Sequence, residues 1–195
     1  GTFVYFCTMG NVTTHIAVSE KGFKQQIPTD DKPVLFLAGP IRNAPPWHNE
    51  AIRIVHRQND NVFIAAPIRR VEDDIKPLIE THKPDAINLP RQRGWEIHYL
   101  YQAAKKGCIV FWLPAELPIT EFEGKIYAHI TMMELGGWIA RKKIDDSINL
   151  VIGTDGNFPE WETVKFDIEN ETPNVPICYS LEETILTALN KIKNK

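Results

Sequence analysis

From residue 34 onward the chain alternates short, unbroken apolar runs with longer segments of helical periodicity. Residues 34–38 (VLFLA), 62–66 (VFIAA) and 108–113 (CIVFWL) hold no charged position, the mark of strands covered on both faces. Residues 149–152 and 175–178 read as two further strands. Between them the pattern predicts helices over Trp47–Gln58, Gln92–Lys106 and 127–141, one within 159–169, and a last one capped by Ser180. Gly107 is expected to stop the second helix, and Ser180 followed by Glu183 forms a capping box. Strands alternating with helices predict an α/β fold, a five-stranded parallel sheet with helices on both faces. In such sheets ligands bind beyond the carboxyl ends of the strands, where the strand order switches. The loops to watch are therefore 39–46, 67–90, 114–128 and 153–157.

The first 32 residues do not follow this pattern. Residues 3–8 (FVYFCT) and 13–18 (TTHIAV) are β-rich around Met9-Gly10-Asn11 and predict a hairpin or two short edge strands. Residues 21–32 are polar and read as a connector. The expected organisation is thus an N-terminal β extension and connector, 1–32, followed by an α/β domain, 33–195. Within that domain, 69–90 is charged and broken by Pro77, Pro84 and Pro90, which predicts a long loop with at most one helical turn.

Composition narrows the function. A chain of 195 residues fits one good-sized domain. A net charge of -3 gives no sign of a nucleic-acid or anionic-membrane partner. No apolar run approaches the roughly 18 residues of a membrane span. Cys7, Cys108 and Cys178 are odd in number and scattered, so buried reduced thiols in a cytoplasmic setting are expected. No Cys/His spacing suggests a metal site.

The segment 127–141 (YAHITMMELGGWIAR) carries the sharpest chemical signal. Met132, Leu135 and Ile139 make an apolar stripe, and Arg141, Lys142 and Lys143 suit the helix C-terminus. Glu134 stands on a half-apolar face, with Ile130 and Trp138 four residues to either side. Burying such a carboxylate is costly without a partner. Gly136 and Gly137 would let a backbone or a ligand come close. A second acid, Glu96, lies near the start of the preceding helix beside Trp95. The parallel-sheet arrangement brings both helix starts toward one cleft. Two carboxylates in different surroundings are the usual apparatus for breaking a glycosidic bond. Gly39 and Pro40 end the first buried strand, and Gly39 would admit a ligand to the backbone. Trp47 and Trp95 flank the cleft loops and are candidates for stacking on a base, although tryptophans of this kind are more often core. His129 is the histidine nearest the cleft in sequence, with capping or packing as its plainer role.

Taken together, FLAGP at 36–40, W-x-x-E-A at 47–51, R-G-W-E at 93–96, FWLP at 111–114 and T-M-M-E-L-G-G-W at 131–138 resemble the nucleoside 2-deoxyribosyltransferase superfamily, most closely its divergent branch. The resemblance covers about residues 33–155. It implies a flavodoxin-like fold, no cofactor, and cleavage of a nucleoside N-glycosidic bond with transfer of the deoxyribosyl group to another base. It makes Glu134 the nucleophile and Glu96 the acid that protonates the leaving base. The expected partners are a small-molecule nucleoside or nucleotide and a free nucleobase, with a homo-oligomer as the assembly. Two positions depart from the family pattern. Leu35 and Phe36 stand where a strand tyrosine is usual, and Ala128 stands where an aspartate holds the sugar. Sugar contacts would then fall to Asn43, Tyr127 or His129. Hydrolysis of nucleosides or of 5'-monophosphates is the alternative, with Arg42, Arg69 or Arg70 for the phosphate. A binding module without catalysis is the alternative from another class.

Overall fold

The computed structural model describes residues 31–58, 61–68, 70–79, 93–119 and 124–195, Thr29, and the backbone of 13–16, 24–26, 87–89 and 92. In chain order the elements are β1 (Thr13–Ile16), β2 (Lys24–Gln26), β3 (Val34–Ala38), α1 (Trp47–Gln58), β4 (Phe63–Ala66), β5 (Ile87–Leu89), α2 (Gln92–Lys106) and β6 (Gly107–Leu113). They continue with α3 (His129–Ile144), β7 (Leu150–Thr154), α4 (Trp161–Glu171), β8 (Ile177–Cys178) and α5 (Leu181–Lys193). The main sheet runs β1-β4-β3-β6-β7-β8 with every pairing parallel. Counted from Val34, its five strands have the order 2-1-3-4-5, the flavodoxin-like three-layer arrangement.

The expected five-stranded sheet is present, and β1 adds a sixth parallel strand outside β4. Residues 3–8, the other half of the expected hairpin, lie outside the described residues. The connector 21–32 and the long loop 69–90 hold structure that their polarity concealed. β2 and β5 pair antiparallel as a separate two-stranded sheet, and Lys76–Leu78 form a helical turn.

Alternation along each strand sorts the core into two layers. Phe36, Phe111 and Ile152 face α2, α3 and α4 through Trp95, Leu135 and Ile168. Leu35, Leu37, Ile64 and Val110 face α1 and α5 through Ile52, Val55 and Ile185. Side chains buried this fully each contribute about 1.5–3 kcal/mol. No loop separates α2 from β6: Gly107 does not merely stop the helix but is the first strand residue, and a Cβ there would run into the Val34 backbone. Ser180 Oγ accepts from the Glu183 N–H at 3.1 Å, as a cap should. The reciprocal bond to Glu183 comes from the N–H of Tyr179, one residue before the cap.

Candidate active site

Because the strands are parallel, the ends of β3, β4, β6 and β7 share one edge. There a cleft of about 900 Å³ opens beside β3. The order β4-β3-β6 reverses direction at that point, which is the switch position of such sheets. The walls come from the end of β3 and its following turn (Phe36, Ala38 to Arg42), Pro67 after β4, Arg93 and Glu96 on α2, and the entry and first turns of α3 from Gly124 to Glu134.

Glu134 and Glu96, 38 positions apart in sequence, meet through a residue to which the sequence reading gave no role. Arg93 Nη1 donates to Glu134 Oε2 at 2.7 Å and to Glu96 Oε2 at 3.2 Å. The two carboxylate side chains are 10% and 15% exposed, so this is a sheltered ion triad rather than a surface pair. Two oxygens sharing one nitrogen at those lengths lie at most about 5.9 Å apart. Burial pushes the Glu134 carboxyl above its ordinary value; Arg93 pulls it back down, and the neighbouring charge of Glu96 raises it. Arg93 and Glu96 stand one turn apart on α2, so helical pitch alone brings them together. That (i, i+3) spacing inside R-G-W-E was the signal available in the sequence. The contact to Glu134 was not legible, because it depends on how α2 and α3 are placed.

The other predicted residues divide. Gly39, Pro40 and His129 line the cleft. Gly39 has φ +152°, and a Cβ there would sit 2.4 Å from the Trp112 carbonyl oxygen, so the turn out of β3 depends on glycine. His129 is exposed at the first position of α3, whose start has no side-chain cap. Trp47 and Trp95 offer the cleft no face. Trp95 is fully buried against Phe36 and Tyr99, and Trp47 is 4% exposed with Nε1 donating to the Pro40 carbonyl. Both are core residues, and stacking on a base is ruled out by their burial. Asn43 and Tyr127 do not line the cleft but brace its rim. The Leu117 N–H donates to the Asn43 carbonyl at 2.7 Å, and the Tyr127 hydroxyl donates to the Pro114 carbonyl at 2.9 Å.

Of the three positions at which the chain departs from the pattern it resembles, Phe36 and Ala128 line the cleft and Leu35 is buried in the opposite layer of the core. Ala128 has φ 55°, a left-handed conformation uncommon for a residue with a Cβ. Of the candidate phosphate contacts, Arg42 lines the cleft, Arg70 does not, and Arg69 lies outside the described residues. Lys125, Ile126, Thr131 and Met133 are cleft residues that the sequence reading did not single out. Among the described residues no backbone of another segment comes close to Gly136 or Gly137. Gly136 faces open space, and Gly137 makes room for the Arg141 guanidinium, which lies over the Trp138 and Tyr101 rings. Among the described residues no His, Cys, Asp and Glu group could hold a metal, and no helix is long and apolar enough to cross a membrane. No protein-family model matches the chain, and no curated protein matches it in sequence.

Proposed function

We propose that the protein cleaves the N-glycosidic bond of a (2'-deoxy)nucleoside by retaining double displacement and passes the deoxyribosyl group to a second base. The observation that carries this reading is the Glu134–Arg93–Glu96 triad in the cleft wall. The two carboxylate oxygens that share Arg93 are no farther apart than about 5.9 Å. Retaining glycosidases hold their carboxyl groups about 5–5.5 Å apart, whereas inverting ones need about 6.5–9.5 Å to fit a water. Glu134 attacks the anomeric carbon as Glu96 gives its proton to the departing base nitrogen. The result is a glycosyl ester on Glu134 and a free base. A second base then displaces the carboxylate and returns a proton to Glu96. The absence of a family match leaves this reading to rest on the site and on the order of motifs that frame it.

A second reading has its own observation. Arg42, Lys125 and His129 line the cleft around the start of α3, where backbone N–H groups and the helix dipole favour an anion. That lining suits a 5'-monophosphate, with water in place of the acceptor base. We also propose that the protein works as a homo-oligomer. Ile130, Met133, Gly137, Ala140 and Ile144 recur at 3-4 spacing along the outer face of α3, and Ile130, Met133 and Ile144 are more than half exposed.

The test is a panel of 2'-deoxynucleosides, ribonucleosides and their 5'-monophosphates, each with and without a free base, followed by chromatography. Exchange that requires the acceptor supports the transferase, and release without one supports hydrolysis. A folded protein silent on the whole panel would overturn both and leave a binding module, detectable as ligand-dependent thermal stabilisation without base release.

A further inference from the structure

Of the three residues expected to hold a sugar, Asn43 and Tyr127 brace the rim, and His129 lines the cleft but stands exposed. The wall itself offers another group. Thr131 is the only hydroxyl-bearing side chain among the described residues that line the cleft. Its place in α3 is unusual. The buried stripe of that helix is Thr131, Leu135, Trp138 and Ile139, the spacing of one apolar face. Packing alone would put an aliphatic residue at the head of the stripe. Thr131 is 4% exposed, and among the described residues its hydroxyl has no hydrogen-bond partner. Burying a hydroxyl in that condition carries a cost that a valine of the same shape avoids. The oxygen is not sealed in, however. Among the described residues the enclosed side-chain polar atom without a partner is His48 Nε2. What Thr131 opens onto is the cleft.

Thr131 stands three residues before Glu134, so the two side chains are neighbours on one face of α3. Both line the cleft, and Glu96 reaches it from α2. A nucleoside with its anomeric carbon at Glu134 and its base toward Glu96 lays its sugar along α3. Its sugar hydroxyls then fall about one helical turn from the reacting carbon, the span that separates Glu134 from Thr131. We infer that Thr131 is a substrate-binding residue whose Oγ1 holds a sugar hydroxyl of the nucleoside beside the bond that Glu134 attacks. This rests on the glycosidic reading above. A hydroxyl can donate or accept, so it pairs with another hydroxyl in either sense. The bond moves no proton; it aligns the sugar. A sugar without that hydroxyl leaves Thr131 unpaired, so the position is a filter as well as an anchor.

The test is Thr131→Val, which exchanges the hydroxyl for a methyl group at nearly the same volume. Without ligand the variant should melt at the parent temperature or slightly above it, since no bond within the fold is lost. On the best substrate of the panel its kcat/KM should fall about tenfold. Thr131→Ser restores the hydroxyl and should recover most of that loss. Parent and Thr131→Val are then compared on analogues of the substrate that lack one sugar hydroxyl at a time, the 2',3'-dideoxy and 2',5'-dideoxy forms for a 2'-deoxynucleoside. On the analogue missing the hydroxyl that Thr131 holds, the two proteins should act alike. A difference that persists on every analogue overturns the inference. So does equal activity on the full substrate, or a melting temperature lower by more than a few degrees, which would mean that the hydroxyl is bonded within the fold. Should Thr131→Val not fold, Thr131→Ala takes its place in the analogue comparison. A silent panel removes the glycosidic reading and this inference together. A working substrate that Thr131→Val turns over like the parent removes this inference alone.

Discussion

The two faces of the sheet use the same ionic motif to opposite ends. On the α1/α5 face, Arg53 bonds Glu50 on its own helix at 3.3 Å and reaches out to Asp74 at 2.7 and 2.9 Å and to Glu72. On the α2/α3 face, Arg93 likewise bonds an acid three residues on and a second acid from elsewhere in the chain. The wiring is alike; the surroundings differ. The acids around Arg53 are 46–59% exposed, whereas those around Arg93 are 10–15% exposed. In water such a cluster pins the loop after β4 to α1 and does little else, because solvent screens it. In the cleft the cation and both acids are sheltered from that screening. The buried titratable groups differ in the same way. His48 on α1 is 3% exposed, stacks on Trp47, and has an Nε2 without a hydrogen-bond partner among the described residues, and burial lowers its pKa to about 3. Glu134 is buried beside a counter-charge and at a cleft.

The largest expected effect comes from removing the acid at the cleft. Glu134→Gln should reduce base release on the order of a thousandfold or more without unfolding the chain, as circular dichroism would check. The same substitution should raise stability at neutral pH. A carboxyl whose folded value is raised is a burden above that value, and the burden is relieved as acidification protonates it. His48 should do the reverse. The unfolded chain takes up its proton below about pH 6.5, and the folded chain does so only near 3. Stability is therefore fully present above 6.5 and is lost on acidification across that window, at up to about 1.4 kcal/mol per pH unit. Urea unfolding of the parent and of His48→Phe from pH 7 to pH 4 should show the slope in the first and a flatter profile in the second. Equal slopes would mean that His48 does not carry the acid lability. The smallest effect belongs to the surface cluster. Asp74→Asn should leave base release unchanged and move the melting temperature by no more than about 2 °C. A large loss of activity there would break the contrast between the two arginines.

The fold was legible where burial is two-sided. The runs at 34–38, 62–66 and 108–113 could be little else than central strands, and Trp47–Gln58 and Gln92–Lys106 have the bounds their periodicity predicts. β2 and β5 were not legible, because KQQ and INL are too short to show alternation. Glu134, Glu96, Gly39, Pro40 and His129 do line the cleft, and acids on half-apolar faces and a glycine at a strand end are what pointed to this edge of the α/β sheet. Trp95 was misplaced for a physical reason: an aromatic ring has the same chemistry in a core as in a binding platform. The spacing Trp95, Tyr99, Ala103 already put it on the buried stripe of α2. Arg93 bonds a residue 41 positions away, a contact that only the packing of two helices creates.

The rim of the cleft has one more consequence. The segment after β6 is stitched to two others, Leu117 to Asn43 and Ala115 to the Asp155 carboxylate at 2.8 Å, and is closed on itself by Tyr127 donating to the Pro114 carbonyl. Three loops that would otherwise move separately share one set of clasps. The conformational entropy of shaping this mouth is therefore given up when the chain folds, and a ligand arriving later has little left to order.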